Sequence, residues 1–189
     1  MENVLVVSRS EKAQQAVKKL LQEMGCQSIL AAGSGSEARQ KLGQYAVELV
    51  VVHAPLPDEF GHELAIMVTE TSTAGVMMVV KHEIADEVSA RVEDYGILTV
   101  GLPIARAAFY QSVKLITATR NRMLGLKREN VQLQKKIEEI RLVDRAKCAL
   151  IQYLNLTEQQ AHRYIEKQAM DLRQTRRQIA ESIVRTYES

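Results

Sequence analysis

ITATRNRMLGLKRENVQLQKKIEEIRLVDRAKCA, residues 116–149, carries a heptad repeat in its first part. With Ile116 at position a, the a positions are Ile116, Met123, Asn130 and Ile137, and the d positions are Thr119, Leu126, Leu133 and Ile140. Six of these eight are apolar and the intervening residues are largely charged. A stripe recurring about every 3.5 residues buries itself best against a second such helix. A lone Asn at an a position costs stability but pairs with its twin across a parallel dimer, fixing register and strand number, and Asn130 occupies such a position. The expected dimerisation seam is therefore Ile116, Met123, Leu126, Asn130, Leu133, Ile137 and Ile140. An amphipathic helix lying on its own domain has the same spacing over so few heptads; Asn130 favours the pair. From Val143 the register fails, because the next a and d positions are Asp144 and Lys147.

Upstream of the heptads, strand and helix signals alternate five times. Val4 to Val7, Leu49 to Val52 and Val76 to Val80 are short continuous apolar runs, as expected of strands buried on both faces, with weaker strands at Ser28 to Ala32 and Leu98 to Val100. Helical spacing follows each: Ser8 to Met24, stopped by Gly25; Ser36 to Leu42, capped by Ser36; Glu63 to Val68; Ile84 to Tyr95; and Ala105 to Thr119, running into the heptads. Continuous strands joined by helices predict a parallel sheet covered on both faces, with chemistry at the carboxyl ends of the strands. Those ends are Ser8 and Arg9, His53, Val80 and Lys81, and Gly101 to Pro103.

Downstream, only helical spacing appears. Asn155 to Thr157 interrupts the long helix, Thr157 with Gln160 forms a capping-box pattern that starts a helix to about Asp171, and Thr175 with Gln178 repeats the pattern for a helix through Val184. The expected core of this small bundle is Ala146, Leu150, Ala161, Ile165, Ala169, Met170, Ile179, Ala180 and Ile183. So small a core needs reinforcement, which a dimerising helix would supply.

The chain has 189 residues, enough for one full domain and a small second one. Its net charge of +2 hides an asymmetry: residues 1–115 hold 10 Lys and Arg against 14 Asp and Glu, and residues 116–189 hold 15 against 9. An acidic front and basic back suit a regulatory domain joined to one that binds a polyanion. No apolar run reaches the roughly 20 residues of a membrane span, and Met1 to Asn3 lacks the basic start of a signal peptide. Cys26 and Cys148 have no metal-type spacing and read as reduced thiols of a cytoplasmic protein. No nucleophile constellation, phosphate loop or metal set is visible, so neither an enzyme nor a cofactor is expected.

A five-unit α/β domain of this length, with Pro57 and Gly61 after the third strand and Pro103 after the fifth, resembles the receiver domain of response regulators. The resemblance implies an acidic pair after strand one, a phosphorylated Asp after strand three, Ser or Thr after strand four and Lys before the proline. Hard oxygens hold Mg²⁺ there, and a cation neutralises the phosphoryl group. This sequence has Ser8 and Arg9, His53, Val80 and Leu102 at those places, and Asp58 lies five residues late. With no carboxylates left for Mg²⁺, a phosphoryl group on His53 is not expected. Neither is a metal held by His53, His62 and His82, whose mutual distances nothing in the sequence fixes. The expectation is a degenerate, phosphorylation-incompetent pseudo-receiver.

Arg145-Ala146-Lys147, Leu150-Ile151, Leu156-Thr157-Glu158, Ala161, Ala169-Met170 and Ile179-Ala180 resemble the signature of the ANTAR domain from roughly Ile137 to Val184, with Cys148 where the family commonly has Gly. The resemblance implies a two-component regulator with a receiver-like domain over 1–115, a coiled-coil linker over 116–142 and an RNA-binding three-helix domain over 137–189. It implies antitermination: a homodimer binds paired hairpins of a leader RNA so that the terminator cannot form. RNA loops are met by cations on phosphate and flat groups on unpaired bases. Arg145, Lys147, Arg173, Arg176 and Arg177 are the expected contacts, supported by Arg163 and Lys167, with Tyr164 to stack. Control by a regulatory protein partner is expected in place of phosphorylation, with no membrane involved. Two rival readings are a DNA-binding response regulator, against which no recognition-helix pattern is visible, and a coiled-coil interaction module whose basic face is only solvation.

Overall fold

The structure, a computed structural model, describes residues 3–187. It divides into two compact units, Met1–Leu124 and Gly125–Ser189.

The first unit is built on five parallel strands: β1 (Asn3–Ser8), β2 (Ser28–Ala32), β3 (Leu49–His53), β4 (Gly75–Lys81) and β5 (Leu98–Leu102). Their order across the sheet is β2-β1-β3-β4-β5. In register, Val7 lies beside Val52 and Ser8 beside His53, so the ends of β1 and β3 are level. Side chains alternate between two cores. Leu5, Val7, Val50, Val52, Met78 and Val80 face one, and Val4, Val6, Leu49, Val51, Met77 and Val79 the other. Both faces of the central strands are thus buried, which is why these strands read as unbroken apolar runs.

The helices are α1 (Glu11–Glu23), α2 (Gly35–Gln44), α3 (His62–Thr71) and α4 (Ala85–Val92), followed by α5 (Arg106–Leu154). The first helix begins at Glu11 and not at Ser8, because Ser8 is still the last residue of β1 and Ser10 is the cap. The cap of α2 is likewise Ser34 and not Ser36: Ser34 is extended and its Oγ accepts from the Glu37 amide at 3.1 Å, while Ser36 is already inside the first turn. The expected helix Ile84 to Tyr95 is α4 flanked by 3₁₀ turns at His82–Ile84 and Glu93–Tyr95. At Gly61, which precedes α3, φ is +109° and an added Cβ would lie 2.9 Å from Val52 Cγ1, so glycine is needed for both conformation and space.

Helix α5 is unbroken over 49 residues. Its first turns pack on the sheet through Phe109, Val113 and Ile116. Ile116 corrects the expected seam. It is only 6% exposed within the α/β core, and a Cβ on Gly75 would fall 2.0 Å from its Cγ2. The first a position therefore belongs to the domain, and the exposed seam residues begin at Met123.

In the second unit, the end of α5 packs with α6 (Glu158–Leu172) and α7 (Arg176–Tyr187). The buried core is Ala146, Ala149, Leu150, Ala161, Ile165, Ile179, Ala180 and Ile183, with Ala169 partly buried. Thr157 and Gln160 complete the capping box of α6. Thr175 does the same work for α7: its Oγ1 accepts from the Gln178 amide at 3.2 Å, and its own amide donates to Gln178 Oε1 at 2.9 Å. Met170 is the second correction, being 78% exposed rather than core. Ala161, Ile165 and Ala169 already fill the inward face, and Met170 lies a further 100° around the helix. Among the described residues no helix is long and apolar enough to cross a membrane.

Candidate functional sites: the sheet end and the helical bundle

At the carboxyl end of the sheet, the structure brings together two of the five residues that the receiver resemblance singles out. Ser8, fully buried, places its Oγ 3.1 Å from His53 Nδ1. The same Oγ accepts from the Ser10 amide at 3.2 Å. Burial holds the His53 imidazole below its ordinary pKa, and the charge of exposed Arg9 adds to the shift. Val80 is fully buried inside β4, and Leu102 ends β5 in register with Lys81. The cluster is thus a hydroxyl, an imidazole and a guanidinium. Among the described residues, no group of three His, Cys, Asp or Glu is placed to hold a metal ion.

Asp58, an acidic residue five places after the expected acceptor, turns away to another task. Its carboxylate accepts from the Gly35 and Ser36 amides, each at 2.9 Å, and from Ser36 Oγ at 2.9 Å. These bonds to the amino end of α2 lower its pKa from 3.8 to about 2. Beside it, Glu59 holds Arg39 through two bonds of 2.7 and 2.8 Å. The loop after β3 is therefore fastened to α2 by two carboxylates. Sequence spacing gave no sign of this, although Ser34 and Glu37 form a Ser-x-x-Glu pattern that marks where α2 begins.

In α5 the heptad positions Met123, Leu126, Leu133, Ile137 and Ile140 are all at least half exposed, and Asn130 is exposed among them. This is a run of large apolar side chains that the described residues leave uncovered.

The basic residues of the bundle fall into two groups. Lys147 is 17% exposed and pairs with Asp144 at 2.8 Å and with Glu158, on α6, at 2.9 Å. Hydrogen bonds to Asp144, then to Glu158, raise its pKa. Arg176 lies 3.6 Å from Glu166, and Arg177 lies 3.0 Å from Glu181, whose hydrogen bond raises the guanidinium pKa. Arg145 is exposed on α5 and Tyr164, 40% exposed, sits on α6. Arg163, Lys167 and Arg173 are exposed and, among the described residues, have no ion-pair partner. Arg173 ends α6 in the left-handed region, at φ 52°. The sequence reading missed the counter-charge that Glu158 gives Lys147; the Asp144–Lys147 spacing, three apart on a helix, was its visible part.

Residues 131–184 match the ANTAR domain. The chain is 24% identical over 184 residues to the transcriptional regulatory protein PdtaR of Mycobacterium tuberculosis, covering 97% of this chain and 89% of that one. The fold of the first unit is shared with a signal receiver domain of an HD domain-containing protein from Pseudomonas fluorescens, at a TM-score of 0.59 and 16% identity, over 66% of this chain and 92% of that one. It is shared also with the response regulator TrrA of Thermotoga maritima, at a TM-score of 0.54 and 23% identity, over 61% of this chain and 99% of that one. A receiver fold followed by an ANTAR domain is the architecture of an ANTAR response regulator, and that is the architecture of this chain.

Proposed function

We propose that the chain is a cytoplasmic, RNA-binding transcription antiterminator that acts as a homodimer and whose receiver is not switched by phosphorylation. The observation that carries the reading is the ANTAR match over residues 131–184, downstream of an exposed heptad stripe. Two chains joined along Met123, Leu126, Asn130, Leu133, Ile137 and Ile140 would offer two bundles, one to each of a pair of RNA hairpins. The Ser8–His53 pair supports the second half of the reading. Where an acyl phosphate and Mg²⁺ need carboxylates, the sheet end presents a hydroxyl and a neutral-leaning imidazole. Regulation then falls to a protein partner that covers the stripe or the RNA face.

The test is binding of the full chain to a two-hairpin leader RNA, a scrambled RNA and duplex DNA at several salt concentrations. A preference for paired hairpins that survives moderate salt is the expected result, because counterion release alone would weaken all three together. Equal binding that collapses with salt would favour the coiled-coil interaction module, a reading that the ion-paired state of Lys147, Arg176 and Arg177 keeps in view. Incubation with acetyl phosphate and Mg²⁺ is expected to leave no covalent label.

A further inference from the structure

Helix α6 presents an outward stripe that its fold does not need. Arg163, Lys167 and Met170 stand at i, i+4 and i+7, on one side of the helix, opposite the buried Ala161 and Ile165. All three are exposed, Met170 to 78%. Leaving a large thioether side chain in water forfeits the gain of burying it, so the fold supplies no reason for Met170 on this face. The two cations that precede it on this face, and Arg173 just beyond it, have among the described residues no acidic partner of the kind that Lys147, Arg176 and Arg177 have. Arg173 also occupies a left-handed helix end, where glycine is the usual residue, and so keeps a guanidinium where a smaller group would be easier to accommodate.

We propose that this stripe, rather than Lys147, is the surface that meets the unpaired bases of an RNA loop. The proposal rests on the RNA-binding reading given above and assigns it to one helix face. Unpaired bases present flat, polarizable faces, and a methionine sulfur makes favourable contacts with aromatic rings. Arg163 and Lys167 then meet successive phosphates on one side of the base that Met170 contacts. Lys147, fixed between Asp144 and Glu158, clamps the start of α6 to α5 and is a positioning residue.

The experiment uses the full chain and a pool of two-hairpin RNAs with randomised loops, enriched for binding. Affinities of wild type, Met170→Ala, Met170→Leu, the double variant Arg163→Ala/Lys167→Ala, and Lys147→Ala are measured at several salt concentrations. Melting curves and solution mass are recorded for each. Met170→Ala is expected to weaken loop binding about tenfold without changing the melt, with Met170→Leu between it and wild type. The double variant is expected to lower the salt slope by about one to two. Lys147→Ala is expected to lower the melting temperature while the folded protein keeps its affinity. If wild type binds the enriched pool and the α6 variants bind equally well, the assignment is wrong while the RNA reading stands. If no loop RNA is enriched at all, both fail. If Met170→Ala alters the solution mass and not the RNA affinity, the face is a protein contact and the assignment is overturned.

Discussion

Ser8 Oγ and His53 Nδ1 lie 3.1 Å apart at the level ends of adjacent strands, so a hydroxyl and an imidazole meet where β1 and β3 end. The bond is partly buried, and burial disfavours a charged imidazole. His53 thus has a folded pKa below its ordinary 6.5. Its contribution to stability is complete above that value and declines as pH falls through it, since the unfolded chain takes up the proton first. Wild type is expected to lose more stability than His53→Asn between about pH 7.5 and pH 5.5, measured by urea unfolding. Parallel pH profiles would sink the idea.

Asp58 has the same sign of shift but acts in a lower window. Its carboxyl is held at about 2 against an ordinary 3.8, so the stability it supplies is present above 3.8 and lost as pH falls through about 2. Asp58→Asn should be less stable than wild type at neutral pH, with the gap closing as both are taken down toward pH 2. A gap that stays constant with pH would mean that the amide caps α2 as well as the carboxylate does.

Two substitutions on one helix should separate domain packing from self-association. Ile116→Ala removes a buried side chain from the α/β core and is expected to cost about 2–5 kcal/mol of stability there, with the solution mass unchanged. Leu133→Glu leaves that core untouched and is expected to shift sedimentation from dimer to monomer. Asn130→Leu should keep association but admit other strand numbers. A monomeric wild type would remove the seam from consideration.

The bundle's small core makes its caps and its buried leucine sensitive. Thr157→Ala loses the hydrogen bond to the Gln160 amide and is expected to cost about 1 kcal/mol. Leu150→Ala, at a fully buried position, is expected to cost about 2–5 kcal/mol and to abolish folding of the unit before the α/β unit melts. Differential scanning calorimetry, resolving two transitions, checks both.

The sheet was legible because strands buried on two faces leave a signal that needs no partner to interpret: Val4 to Val7 and Leu49 to Val52 can hardly be anything else. The capping boxes at Thr157 and Thr175 were legible for the same reason, being local. Ile116 was not, because position a of a heptad and the inner face of a docked helix ask for the same side chain, and only Gly75 across the contact decides between them. Met170 follows directly on Ala169, and one residue on a helix separates inside from outside, a difference that spacing resolves poorly near a helix end. The role of Asp58 depends on amides of Gly35 and Ser36, 23 and 22 residues away, which no local pattern can announce.

Between Arg120, which donates to the Thr73 carbonyl at 3.0 Å, and Leu142, which packs on the bundle core, no residue of α5 is buried. A helix without tertiary contacts is marginal in water, and its hydrogen bonds open far more often than those of a packed core. The amide protons of this span in a lone chain would therefore exchange with solvent deuterium quickly, while those at Phe109 to Val113 and Ala149 to Leu150 exchange slowly. A partner laid along the span would slow exchange there and nowhere else, which makes the middle of α5 a built-in reporter of whether anything is bound to it.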